Sequence, residues 1–234
     1  LLPGGSIKAS TRAVLTNAVY FRGKWRTAFD AGQTADRPFR LDGGRTINVP
    51  TMIGQVALRT GVVDGLTVFE LPYQGEQFVL MIALPPEGHT LQALESDTAG
   101  ADIAGWSKRL EAVAQASFQL PKFRLAPTTV ALVDRLKALG MVAAFEQGAN
   151  FSGITGKTNE IQLEQVFHAA GIIVDEAGSE ATAATAAVMT AKSLSLPSPR
   201  AYKVDRPFLF AIVHKPTGAP LFVGKMANPV AGTN

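Results

Sequence analysis

The sequence predicts an α+β fold dominated by strands, on the basis of apolar segments separated by short polar turns. Residues 13–21 are apolar apart from two positions, as expected for a strand covered on both faces. Residues 66–71 and 78–84 flank a short polar turn, which predicts a hairpin. Residues 207–213 and 221–226 repeat this pattern near the end of the chain, so a second hairpin is predicted there.

Helical spacing is confined to short segments. Residues 102–113 are predicted as a helix because apolar side chains recur on one helical face. A second helix is predicted at residues 132–139, where three leucines share this spacing, and Gly140 follows as its C-cap. Residues 117–125, which lie between the two, suggest another strand.

The composition indicates one globular domain and argues against several classes of function. The chain has 234 residues and is 47% apolar, which is too hydrophobic for disorder and sufficient for a substantial core. No apolar run approaches the ~20 residues of a membrane span. The net charge of +3 comes from scattered Lys and Arg, so nucleic-acid binding is unsupported. The absence of cysteine excludes disulfides and thiol catalysis.

Conventional catalytic and metal-binding patterns are absent from the sequence. The histidines, His89, His168 and His214, have no metal-ligand spacing, and there is no nucleophile elbow or phosphate loop. His168 lies between apolar residues and is predicted as a satisfied core histidine. A hydrolase built on His168 with a nearby Ser and Asp has no supporting spacing. We therefore expect no enzymatic activity, no catalytic residue, no metal and no cofactor.

Residues 176–187 are unusually rich in Ala, Thr, Ser and Gly. They have too few bulky apolar groups to anchor themselves in a core, so an exposed segment is expected. They also lack Pro and large side chains, so nothing prevents them from joining a sheet. With the two-residue period of a strand, one face carries only small side chains, at Ser179, Ala181, Ala183 and Thr185. A flexible linker is the alternative, but about thirty further residues are too few for another domain.

Several short motifs occur in a fixed order along nearly the whole chain. They lie at residues 15–25, 70–73, 120–123, 136–141, 167–168, 174–181, 206–210 and 221–229. This ordered set resembles the serpins, serine protease inhibitors of the suicide-substrate type. The resemblance implies a serpin fold with mixed β-sheets, a few helices and a long exposed reactive loop. Because a complete serpin is longer, we expect residues 1–234 to form one serpin domain that is incomplete at the N-terminus, with its loop at 177–200.

The resemblance also implies roles for individual residues. The loop hinge matches Glu176, Gly178, Ser179, Glu180, Ala181, Ala183 and Thr185. Asn17 and His168 match a polar latch that holds the main sheet closed until the loop inserts. Trp25 and Lys122 match the top of that sheet, where the loop enters, and a Lys122–Glu176 ion pair is expected. Packed core is the alternative interpretation of Trp25.

The position of the reactive bond follows from the spacing typical of inhibitory serpins. Seventeen residues counted from Glu176 end at Lys192, so the cleaved bond is expected between Lys192 and Ser193. A lysine there suits a trypsin-like protease, whose specificity pocket ends in an acid. Three rival positions lie nearby, at Met189, Leu194 and Leu196. Either of the two leucines would indicate an elastase-like or chymotrypsin-like target instead.

The function implied by the resemblance is inhibition of a serine protease by loop cleavage and insertion. The cleaved loop would insert between the strands that contain residues 13–21 and 165–175. The expected partner is a trypsin-like serine protease, and the protein is expected to be a monomer, extracellular or secreted, with no nucleic-acid or membrane partner. A non-inhibitory binding or chaperone module is the alternative, against which the small hinge residues argue.

Overall fold

The structure, a computed structural model, describes residues 2–9, 11–93, 103–179 and 200–230. The chain divides into two compact units. Unit 1 comprises residues 1–20 and 125–172, and unit 2 comprises residues 21–124 and 173–234. Among the described helices, none combines the length and the apolar character that crossing a bilayer requires.

Strands dominate the described residues. They are β1 (Ala13–Val19), β2 (Gly23–Lys24), β3 (Ala35–Arg40), β4 (Thr46–Val63), β5 (Leu66–Pro72), β6 (Phe78–Leu84), β7 (Glu111–Pro121), β8 (Phe123–Ala131), β9 (Leu163–Val174), β10 (Gly178–Ser179), β11 (Ala201–Lys203), β12 (Phe208–His214) and β13 (Ala219–Met226). The α-helices are short: α1 (Ile103–Trp106), α2 (Val133–Ala138) and α3 (Ser152–Thr155). Turns of 3-10 helix cover Ala31–Gln33, Ser107–Arg109 and Ala143–Phe145. The predicted α+β class, with mixed sheets and few helices, is confirmed.

Unit 1 is organised around a parallel pair of strands. β1 and β9 lie side by side, and their register pairs Asn17 with His168 and Val19 with Ala170. β8 also pairs with β9. The prediction that both faces of β1 are covered is wrong, because Leu15 is 51% exposed and nothing in the described part of the chain packs over that half.

Helix α2 ends as the sequence predicts. Gly140 has a φ of +97°, a conformation that favours glycine. Its N–H donates to the Lys137 carbonyl at 2.9 Å, and the Met141 N–H donates to the Leu136 carbonyl at 2.9 Å. These two bonds satisfy carbonyls that the helix itself cannot pair, so the predicted C-cap is confirmed.

Unit 2 is built on one large sheet. Its strand order is β11-β7-β4-β5-β6-β12-β13, with β3 paired to β4. The predicted hairpins correspond to the antiparallel pairs β5–β6 and β12–β13 and are confirmed. All but the first residue of β6 are buried, as expected for a continuous apolar run covered on both faces.

The predicted helix at residues 102–113 is wrong over its second half. α1 ends at Trp106, and Glu111 already belongs to β7, where it pairs with Thr60 of β4. Pairing with a long strand satisfies the backbone groups of residues 111–113, so tertiary contacts override the local helical pattern. The apolar face was identified correctly, because Trp106 and Leu110 are buried in one cluster and Ile103 packs against it.

Residues 117–125 lie in two strands rather than in the single strand predicted. β7 ends at Pro121 and β8 begins at Phe123. Lys122 stands between them, and its N–H donates to the Pro50 carbonyl at 2.9 Å. Lys122 thus lies between a strand of the large sheet and a strand that pairs with β9.

Candidate functional site

In unit 2 the chain reverses after β9, and residues 175–179 form what we call the hinge turn. The Asp175 N–H donates to the Gly178 carbonyl at 2.9 Å. The Asp175 carboxylate accepts from the N–H groups of Ala177 and Gly178, at 2.9 and 3.2 Å. β10 then runs antiparallel to both of its neighbours, so that Ser179 pairs with Val174 on one side and with Gly23 on the other. The first residues after the turn therefore already lie inside a sheet.

The close approach of β2 requires glycine at position 178. Gly178 has a φ of +151°, and a Cβ built on it would lie 2.0 Å from the Gly23 carbonyl oxygen and 2.7 Å from the Lys24 Cα. Both of these atoms belong to the backbone, so no side-chain rotation relieves the overlap. The hinge turn can adopt this path only because residue 178 has no side chain.

Ser179 is held by a buried hydroxyl pair. Its Oγ lies 2.7 Å from the Tyr73 Oη, and the two residues are 0% and 2% exposed. Burial raises the pKa of the Tyr73 phenol well above its ordinary value, an effect that the bond to Ser179 only partly opposes. Tyr73 therefore stays neutral and retains a proton that it can share with Ser179.

Trp25 links the same tyrosine to the backbone of the hinge turn. Its ring stacks on Tyr73 with 4.6 Å between centroids and an interplanar angle of 8°. The indole N–H donates to the Asp175 carbonyl at 2.8 Å, and the backbone N–H of Trp25 donates to the Ala177 carbonyl at 2.9 Å. Trp25 is 4% exposed, so it is packed core and also bonds the hinge turn.

Glu176 is held on both carboxylate oxygens. Lys122 Nζ lies 2.8 Å from Oε2, and the Thr34 hydroxyl donates to Oε1 at 2.7 Å. The Glu176 carbonyl accepts from the Phe29 N–H at 2.9 Å. Burial by itself would raise the pKa of Glu176, but the hydrogen bonds from Lys122 and Thr34 and the charge of Lys122 outweigh it, and the pKa lies below its ordinary value. The carboxylate is thus stabilised in its charged form.

In unit 1, a polar pair joins the two parallel strands. His168 Nδ1 lies 3.0 Å from Asn17 Oδ1, and the two residues are opposite each other in the β1–β9 register. Because the amide oxygen can only accept, Nδ1 carries the proton in this bond. The prediction of a core histidine is wrong in part: the ring is hydrogen-bonded but only half-buried, because the β1 side of the pair is exposed.

Among the contributors to the site that carried no predicted role are Tyr73 and Thr34. Tyr73 is the last residue of the motif at 70–73, yet its bond to Ser179 joins residues that are 106 positions apart. Thr34 lies in an ordinary polar segment that nothing in the sequence distinguishes. The predicted hinge residues Glu180, Ala181, Ala183 and Thr185, the predicted reactive bond Lys192–Ser193 and its rival positions lie outside the described residues. Within the described ranges, no group of three or more His, Asp or Glu side chains is arranged to hold a metal ion.

Comparison with known proteins bears on the identity of this fold. The family model described as "Serpin (serine protease inhibitor)" matches residues 1–229. A serine protease inhibitor of Cyanea capillata is 34% identical over 233 residues, which cover 98% of this chain and 60% of that protein. Glia-derived nexin of Mus musculus is 39% identical over 233 residues, covering 94% of this chain and 56% of the nexin.

Solved structures agree with these relatives. The crystal structure of Serpin48, described as a highly specific serpin in the insect Tenebrio molitor, superposes with a TM-score of 0.81 at 30% identity. The match covers 95% of this chain and 57% of that one. The chain therefore spans less than two thirds of the length of its relatives, and it belongs to the serpin family.

Proposed function

We propose that the chain is part of an inhibitor that traps a trypsin-like serine protease as a suicide substrate. The observation that carries this proposal is the position of Gly178 and Ser179, which already occupy a strand between Val174 and Gly23. Reactive-loop insertion in serpins is strand addition, in which main-chain bonds supply the affinity. A loop whose second and third residues already lie in the sheet needs only to continue along the same path.

The register of β10 supports one path for the residues that follow it. Ser179 pairs antiparallel with Val174, so each further loop residue pairs one position earlier along β9. Six such steps bring Thr185 opposite His168, which is now bonded to Asn17. Insertion would therefore part the β1–β9 ladder and exchange the Asn17–His168 bond for contacts with the Thr185 hydroxyl. This supports a latch role for Asn17 and His168.

The free energy of insertion comes from the ladder that it adds. A strand placed between β1 and β9 replaces one row of backbone hydrogen bonds by two, which is a net gain of one row. About ten net bonds of 0.5–1.5 kcal/mol each amount to roughly 5–15 kcal/mol. A drop of this size is comparable to the stability of a whole domain and is sufficient to distort a protease that is covalently attached to the loop.

The target class follows from the loop residue before the cleaved bond. We infer that cleavage occurs between Lys192 and Ser193 and that the target is trypsin-like, because lysine suits an acidic specificity pocket. Leu194 or Leu196 would instead direct an elastase-like or chymotrypsin-like protease. An extracellular location and a monomeric state belong to the same proposal.

A non-inhibitory binding module is less well supported. One apolar cavity in unit 2, lined by Met81, Trp106, Leu209 and Val223 among others, has a volume of about 80 Å³. Sites for drug-sized ligands are typically about 300–1,000 Å³. This cavity is too small for such a ligand, and the small side chains at Ser179, Ala181, Ala183 and Thr185 favour an inhibitory loop over a non-inhibitory module.

The proposal is tested by incubating the protein with trypsin, elastase and chymotrypsin and analysing the products on denaturing gels. We expect a covalent adduct with trypsin that survives denaturation, and mass spectrometry should find the released peptide beginning at Ser193. Clean cleavage without an adduct would show that the protein is only a substrate. An adduct formed through Leu194 or Leu196 would overturn the trypsin-like assignment.

A pair of matched variants separates insertion from simple cleavage. Ser179→Arg puts a large charged group at a position that is 0% exposed, so we expect cleavage to persist and the adduct to disappear. Glu180→Arg adds the same group on the face that strand alternation predicts to be outward, and the adduct should remain. Equal adduct yields from the two variants would contradict insertion as the driving step.

A further inference from the structure

A cleft in unit 2, separate from the hinge turn, combines a positively charged rim with an apolar wall. Its volume is about 340 Å³, within the range of small-ligand sites. Its charged side chains are Arg26, Arg59, Glu70, Glu76 and Lys215. Three cations therefore face two carboxylates, and the lining has a net positive charge.

The inner carboxylate of the cleft is already neutralised. The Glu70 side chain is 2% exposed, and the Ser107 hydroxyl donates to its Oε2 at 2.5 Å. Lys215 Nζ lies 3.4 Å from Glu70 Oε1, and Arg59 Nη1 lies 3.7 Å from Oε2. Both Glu70 oxygens face a cation, and Glu70 together with Arg59 and Lys215 carries a net charge of +1.

Lys215 and Arg26 are less committed to contacts within the protein than Arg59 is. Arg59 donates to the Ser107 hydroxyl at 2.9 Å and to the Leu110 carbonyl at 2.7 Å, so its role is structural. Lys215 has three N–H donors, of which the contact with Glu70 uses one. Arg26 has five, and its contact with Glu76 uses one. Lys215 and Arg26 are the groups able to bind a ligand.

The contact between Arg26 and Glu76 is exchangeable. Arg26 Nη1 lies 2.6 Å from Glu76 Oε1, but the two side chains are 44% and 54% exposed. Ion pairs that are this exposed contribute little to stability. An oxyanion that also contacts Lys215 competes with this one solvated carboxylate, and a dianionic phosphate monoester competes more strongly than a monoanionic sulfate monoester. Glu76 thus acts as an internal competitor for the site.

The remaining wall suits an organic group. It is formed by Pro72 and by small apolar residues of β4 and β7, among them Ala57 and Ala114. The β4–β7 pairing is irregular between Val56 and Leu58, at the edge of this wall. Small side chains at an interrupted ladder leave room that a ligand body can fill.

We propose that this cleft binds a small phosphate or sulfate monoester, with the charged head group between Arg26 and Lys215 and the organic body against the apolar wall. Oxyanions are the ligands that a guanidinium and an ammonium group recognise together. The site stands apart from the proposed inhibitory function, and its test does not depend on protease inhibition.

The test is isothermal titration calorimetry of the full chain with phenyl phosphate, phenyl sulfate and inorganic phosphate. We expect both esters to bind about tenfold or more tightly than the inorganic ion, because burial of the ring adds affinity. The difference between the two esters identifies the preferred head group. Absence of binding by both esters up to about 10 mM would overturn the proposal, as would equal binding of inorganic phosphate.

Three variants and a control test the placement of the head group. Arg26→Gln and Lys215→Gln should each weaken ester binding about tenfold, because each removes a charge-assisted contact. Glu76→Gln should strengthen it several-fold, since it removes the competitor. Arg45→Gln removes the same charge at an exposed position outside the cleft and should leave binding unchanged.

Weaker binding by Glu76→Gln, or equal losses in Arg26→Gln and Arg45→Gln, would contradict the assigned site. Arg26→Gln breaks only an exposed ion pair, so this arm remains decisive if Lys215→Gln fails to fold.

Discussion

The hydrogen bond between the buried hydroxyls of Ser179 and Tyr73 can be removed by a substitution at either residue. Ser179→Ala and Tyr73→Phe each delete one hydroxyl without adding volume. The oxygens lie 2.7 Å apart, and both residues are almost completely buried. Each single variant therefore leaves the opposite hydroxyl in an apolar site without its partner. The double variant removes both polar groups together.

The expected losses in the free energy of unfolding follow from this difference between the single and the double variants. A buried donor or acceptor that loses its partner costs about 1–3 kcal/mol, so each single variant should lower the free energy of unfolding by that amount. Removing both partners restores a consistently apolar contact, and the double variant should cost little more than one single variant. The interaction energy of the double-mutant cycle is accordingly expected to be about 1–2 kcal/mol.

The measurement is urea unfolding followed by tryptophan fluorescence. Both tryptophans of the chain, Trp25 and Trp106, belong to unit 2, so the signal reports on the unit that contains the pair. Tyr202→Phe is the matched control, because it deletes a half-buried tyrosine hydroxyl of the same unit and should change stability by less than about 0.5 kcal/mol. Strictly additive single effects would refute the proposed coupling between Ser179 and Tyr73.

Two further changes address the rest of the hinge turn. Glu176→Gln removes the carboxylate that Lys122 holds and should cost about 1 kcal/mol near neutral pH. Because the pKa of Glu176 lies below its ordinary value in the folded state, this stabilisation is complete above the unfolded pKa and is lost as the pH falls through the folded pKa. Urea midpoints of the two proteins should therefore converge as the pH falls through the folded pKa of Glu176. A pH-independent gap, or an equal effect of the exposed-site control Glu87→Gln, would contradict the ion pair. Gly178→Ala brings a Cβ to 2.0 Å from the Gly23 oxygen at a φ of +151°. We expect the free energy of unfolding in urea to fall by about 2 kcal/mol or more. An unchanged urea midpoint would show that Gly178 does not pack against β2.

Much of the fold could be predicted because burial leaves a local pattern. The runs that form β5, β6, β12 and β13 alternate with polar turns, and each hairpin partner is a near neighbour in sequence. Gly140 could be predicted because a helix end needs a residue that tolerates positive φ. In both cases the interacting residues are close together in the sequence.

The predictions that proved wrong concern residues whose structure depends on partners that are distant in the sequence. Residues 111–113 have an acceptable helical pattern, but β4 offers them a ladder that begins at Thr60. The exposure of Leu15 is equally invisible in the sequence, since an apolar strand carries the same pattern whether or not something packs over it. Local propensity is a weak guide when backbone pairing with a remote strand competes with it.

The sequence by itself determined the strand-rich class, the family and the residue types of the hinge, because small side chains and motif order can be read without coordinates. Only the tertiary structure decided which groups hold that hinge. The Tyr73–Ser179 bond spans 106 positions and the Thr34–Glu176 bond spans 142. A hydroxyl or a carboxylate gives no local sign of its partner, because hydrogen bonds depend on distances in space that are set only when the whole chain has folded.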